Sequence, residues 1–90
     1  MMKSLIVTYD LCGKGKNYDE LYERIKQYGT WAHITESSWF IKTSSSCSTV
    51  RDHLGAVLDH NDALFVAELT GSAAWGGLSQ DMTNYLKQNL

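Results

Sequence analysis

The sequence predicts an α+β domain in which one antiparallel sheet carries amphipathic helices, and three observations lead there. β-rich runs and stretches of helical periodicity alternate in the order strand, helix, strand, strand, helix, strand, helix. The second and third strand candidates are separated by little more than Ser37, so they read as a tight hairpin of antiparallel strands. Ninety residues, 43 % hydrophobic and 20 % charged, supply one core and therefore one domain, residues 1–90.

Leu5-Ile6-Val7-Thr8-Tyr9-Asp10 is the first strand, a β-branched and aromatic run that delivers an acid to the rim of the sheet. Asn17 is placed to cap the next helix, with Glu20 near the capping-box position. Tyr18, Leu21, Tyr22, Ile25 and Tyr28 then recur at helical spacing, opposite Asp19, Glu23, Arg24 and Lys26, and Gly29 is the stop. The tyrosine stripe reads as core packing with wet hydroxyls. Trp31 to Glu36 and Ser38 to Thr43 form the hairpin, whose register so short a link leaves open.

A second helix is expected from Ser46 or Ser48 to His60, with Cys47, Val50, Leu54, Val57 and Leu58 on one face. Thr49 and Asp52 are its capping pair, and Asn61 suits a left-handed ending. Ala63 to Thr70 is the last strand, apolar except at Glu68, which must pair or reach an edge. Gly71 to Gly77 is a loop carrying Trp75, and Ser79 caps a short terminal helix with Leu78, Met82, Tyr85 and Leu86 to one side. Two helices on one face of a single sheet give the ferredoxin-like βαββαβ sandwich with a short C-terminal helix. The opposite face then needs a cover, which the terminal helix with Trp75 or a second copy of the chain supplies; the second option predicts a homodimer.

Composition narrows the function. A net charge of -2 offers no global attraction for nucleic acid, so RNA or DNA binding requires a local basic patch. Cys12 and Cys47 lack metal spacing and are too few for a disulfide scaffold, which fits reduced thiols in a cytoplasm. The apolar run after Met1-Met2-Lys3-Ser4 is shorter than a signal-peptide core or a membrane span, so no membrane association is expected.

The chemistry centres on Asp10. An acid ending a strand either ties down the following turn or faces a ligand. Beside it, Gly13-Lys14-Gly15-Lys16 combines flexible backbone amides with two ammonium groups, a phosphate clamp or a solvated turn, without P-loop spacing. His33, His53 and His60 show no zinc spacing, Cys12 lacks an evident base, and Ser37 and Ser38 lack a triad. Trp75 reads either as a lid on the core or as a protein-interaction residue.

Val7-Thr8-Tyr9-Asp10-Leu11, the helix ending in Tyr28-Gly29, and Ser38-Trp39-Phe40 resemble the CRISPR-associated Cas-two proteins, most nearly their small uncharacterised SinR-like relatives. The resemblance spans about two thirds of the chain. It implies a ferredoxin-like homodimer in which Asp10 lies near its mate across the two-fold and holds a divalent metal, with metal-dependent nuclease activity or a structural role on DNA. Glu36 and Ile41 stand where the family commonly has Gln and Glu.

The function expected is therefore a Mg²⁺-dependent nuclease or nucleic-acid-binding homodimer, with Asp10 as catalytic metal ligand and Lys14 and Lys16 on phosphate. The alternative is a non-catalytic protein-interaction module of a defence or mobile-element system, using Trp75 and the aromatic surface. A third reading, by fold resemblance, is a toxin-type ribonuclease of the virulence-associated protein D kind.

Overall fold

A computed structural model describes residues 2–11 and 18–90. Its elements run β1 (Lys3–Asp10), α1 (Asp19–Lys26), β2 (Thr30–Thr35), β3 (Ser38–Thr43), α2 (Cys47–Gly55), β4 (Ala63–Leu69) and α3 (Gln80–Asn89). The strands form one sheet in the order β2-β3-β1-β4, and every neighbouring pair is antiparallel. β1 and β2 therefore run parallel with β3 between them, and β3 and β4 run parallel with β1 between them. Each helical crossover thus skips one strand, and the two crossovers interleave.

Alternation along β1 divides the core. Leu5, Val7 and Tyr9 point to the side where α1 and α2 lie, joining Trp39, Ile41, Leu21, Ile25, Val50 and Leu54, all buried. On the other side Phe40 and Ala32 meet Leu86 of α3, with Ile34, Leu69, Trp75, Met82 and Tyr85 packed around them. The sheet is thus covered on both faces, α3 supplying the second cover as far as Phe40 and Leu69. It stops short of Phe65, which is 62 % exposed on the edge strand β4. Glu68 is exposed on the same edge strand, where its carboxylate stays in water.

Local chemistry sets the boundaries. Asn17 lies outside the described residues, and Tyr18 stands at the α1 N-cap without a side-chain capping bond. Asp19 and Glu20 in the first turn and Arg24 and Lys26 in the last complement the helix dipole. α1 closes two residues before Tyr28 through tight turns, Tyr28 N–H to the Ile25 carbonyl and Gly29 N–H to that of Lys26. Gly29 then takes φ +86°, a conformation that costs other residues about 1–2 kcal/mol. The β2–β3 turn is Glu36-Ser37, with an irregularity between His33 and Thr35, so Glu36 belongs to the turn and not to the strand.

Ser46, one of the two residues expected to start α2, caps it by accepting from Thr49 N–H at 3.2 Å. Thr49 and Asp52 therefore do not form the cap. The helix ends at Gly55, five residues short of His60. Gly55, a poor helix former, is the last helical residue, and Asp62 offers the backbone a competing bond by accepting from Asp59 N–H at 3.0 Å. Asn61 does not take the left-handed role, since no described residue other than glycine has positive φ. α3 begins as expected, with Ser79 accepting from Met82 N–H at 3.1 Å, and at ten residues it is the longest helix described. No helix among the described residues is long and apolar enough to cross a membrane.

Candidate functional site

β1 carries Asp10 to the open end of the sheet. Thr8 is the last β1 residue paired with β3, opposite Ser38, whereas pairing with β4 continues to Asp10 opposite Ala63. The carboxylate is exposed because the strand outruns its neighbour on one side. It stands between two recesses. One lies over β4, walled by Thr8, Ala63 and the exposed ring of Phe65. The other, of about 280 Å³, lies toward α1 and the hairpin turn, walled by Tyr9, Leu11, Tyr18, Tyr22, Glu36 and Ser37.

Tyr9 organises the second recess. Its hydroxyl accepts from the Trp39 indole N–H at 2.9 Å and donates to the Glu36 carbonyl at 3.2 Å. His33 donates from Nε2 to the same carbonyl at 3.1 Å. The His33 ring stacks on Trp39 with centroids 3.9 Å apart and planes 13° from parallel, and Tyr22 lies 5.6 Å from Trp39 and 5.8 Å from His33. Trp31, 5.5 Å from Trp39, extends the ring cluster outward, with the Lys26 ammonium 5.3 Å from its centroid. Burial pushes the Tyr9 phenol up to about 12; the bond from Trp39 opposes this in part, and Tyr22 and the Glu36 carboxylate add to it.

The other sequence candidates disperse. Lys14, Lys16 and Cys12 lie outside the described residues. Trp75 is half-buried over the second core, its indole N–H donating to Thr83 Oγ1 at 3.1 Å, the geometry of a lid. The Tyr28 hydroxyl and His53 Nδ1 share a hydrogen bond of 2.9 Å, and the His53 carbonyl accepts from Arg24 at the same distance, which ties α1 to α2. Burial raises the Tyr28 phenol above its ordinary value. His60 is exposed, and Cys47 is a free thiol packed against the first core. No three His, Cys, Asp or Glu side chains gather into a metal site among the described residues.

The Tyr9, Tyr22 and Glu36 grouping escaped the sequence reading because it joins three segments through strand register. The one signal available was the inward phase of Leu5, Val7 and Tyr9, which sets a phenol into the core with a hydroxyl to satisfy. No protein-family model matches the chain.

Proposed function

We propose that the protein is a ferredoxin-like homodimer of the Cas-two type that acts on RNA or DNA, with Asp10 of each copy holding a shared Mg²⁺ for phosphodiester cleavage. The interleaved crossovers and the fully antiparallel β2-β3-β1-β4 order support the fold name. The observation that carries the functional reading is the exposed Asp10 at the end of β1, on the same stretch of sheet as the exposed Phe65. β4 has no partner strand on its outer side among the described residues, and its apolar surface is what a second copy buries.

One carboxylate is a thin site for a hard ion that prefers six oxygens and keeps several waters. Two copies supply two carboxylates, leaving open positions for a phosphate oxygen and an activated water. Lys14 and Lys16, close to Asp10 in sequence, are the phosphate contacts of this reading. The free Cys47 thiol suits a reducing cytoplasm.

Cleavage of mixed RNA and DNA substrates in Mg²⁺ or Mn²⁺ tests the assignment, with wild type and Asp10→Asn purified side by side. Metal-dependent cleavage by wild type alone is expected. Equal cleavage by both proteins removes Asp10 from the site. Absence of cleavage by both favours the second reading, a protein-interaction module, for which the exposed Phe65 ring is the supporting observation.

A further inference from the structure

On the face of the sheet that α3 covers, the strands, α3 and the loop leading into it leave a recess of about 280 Å³ between them. Large apolar side chains converge on it from every side: Ile6, Ile34 and Leu69 from the strands, Trp75 and Leu78 from the loop, and Leu90 after α3. All six are half-buried, so the second core stops short of closing over them. Beneath them Phe40 and Leu86 are packed out of water. The walls are held in place by bonds of the chain's own. Trp75 donates its indole N–H to Thr83 Oγ1 in the first turn of α3, at 3.1 Å. At the other end of the helix Ser4 Oγ of β1 donates to the Asn89 carbonyl at 3.3 Å, and Leu90 N–H continues the helical bonding to the Leu86 carbonyl at 2.9 Å.

We propose that this recess binds an uncharged, apolar small molecule the size of a fused bicyclic ring. A cavity of about 150 Å³ lined by Leu, Ile and Phe stays dry and takes one benzene ring. Here the same kinds of side chain, with Trp75 added, border nearly twice that volume. The space lies just below the range of pockets for drug-sized ligands and shares their make-up, apolar walls with a few polar groups. The polar residues on this wall are Thr35 and Ser38 at the hairpin, both neutral. A charged ligand would lose its hydration against such a wall without gaining a counter-charge, whereas a neutral ring system gains from each apolar surface it covers. Sheet, helix and loop form three sides of the recess, a concavity that suits a small molecule better than the flat surface of a second copy. The inference stands apart from the nuclease reading, since Asp10 does not border this recess.

The probe is 2-naphthol, neutral at pH 7, and the control is 2-naphthoate, which has the same rings and a carboxylate. Both are titrated against the full chain, following the isoleucine and leucine methyl resonances and the tryptophan indole resonances by NMR. Saturation by 2-naphthol is expected, with shifts centred on Ile6, Ile34, Trp75 and Leu90, and 2-naphthoate should bind at least about tenfold more weakly. Ile6→Phe adds volume on this face from the middle of a strand and should weaken 2-naphthol by about tenfold. If that variant fails to fold, Leu90→Ala decides, with a several-fold loss expected. Sedimentation velocity should show the same oligomeric state with and without 2-naphthol. No saturation, equal binding of the two probes, shifts centred elsewhere, or unchanged affinity in the deciding variant overturns the proposal. A dimer that 2-naphthol dissociates also overturns it and gives this face to a second copy. Cleavage is assayed without 2-naphthol, so the two proposals fail separately.

Discussion

Replacing Tyr9 by Phe removes one oxygen from the centre of the ring cluster and leaves its volume nearly unchanged. In the wild-type fold that oxygen accepts the indole N–H of Trp39, a side chain 1 % exposed, and donates to the Glu36 carbonyl. Without it the buried N–H loses its acceptor, and a buried unsatisfied donor costs about 1–3 kcal/mol. A loss of about 2 kcal/mol at pH 7 follows, or a fall in Tm of roughly 10 °C for a domain of this size. The same oxygen gives the difference a pH dependence of known sign. The phenol titrates near 10 when unfolded and is held up to about 12 when folded. Between those values the folded chain keeps a proton that the unfolded chain has lost, so wild-type stability falls as pH rises through this window. The full gap corresponds to about 3 kcal/mol. The Tyr9→Phe variant has no proton to lose at this position, whereas the other tyrosines are common to both proteins. Urea unfolding at pH 7, 9, 10 and 11 should therefore show a constant gap up to pH 9 that narrows by about 1.4 kcal/mol, roughly two thirds of it, near pH 11. A gap below about 0.5 kcal/mol at pH 7 would refute the Trp39 bond. A gap that stays constant through pH 11 would refute the buried phenol.

Leu54→Ala, at a fully buried position between α2 and the sheet, should cost about 3 kcal/mol in the same unfolding assay, the middle of the range for core leucines. Two glycines with open space where a methyl group would stand should move in opposite directions. Gly29→Ala places a side chain at φ +86° and should destabilise by about 1 kcal/mol through the backbone alone. Gly55→Ala, at the end of α2, should stabilise by about 0.5–1 kcal/mol by improving helix propensity, and equal effects at the two positions would contradict the backbone argument.

What could be read from the sequence was what one segment decides for itself. The run Ser38 to Thr43 marked β3 to the residue, Ser79 marked the start of α3, and α2 starts after Ser46, one of the two serines expected to begin it. The end of α2 was misjudged because Val57 and Leu58 continue the apolar spacing, although Gly55 and the bond from Asp59 N–H to Asp62 favour a turn. Periodicity records which side chains seek the core, not where the helical hydrogen bonds stop. The acid at the end of β1 was legible as an exposed group at a strand terminus. Its neighbours were not, because Tyr22 arrives from α1 and Glu36 from the hairpin turn, and only strand order and register bring them together. Trp75 shows the same limit from the other side. Its sequence context allows either a lid or an interface residue, and the bond to Thr83, eight residues on, accounts for its half-buried position as a lid.

The claim on which the functional account depends is that two copies share one ion through Asp10. Mn²⁺ binding to the purified protein, followed by electron paramagnetic resonance alongside sedimentation equilibrium, tests it most directly. The account predicts a dimer that binds one Mn²⁺ per two chains, with binding lost in Asp10→Asn while the dimer and its melting curve persist. A wild-type protein that binds no Mn²⁺, or an Asp10→Asn variant that binds it equally well, would contradict it.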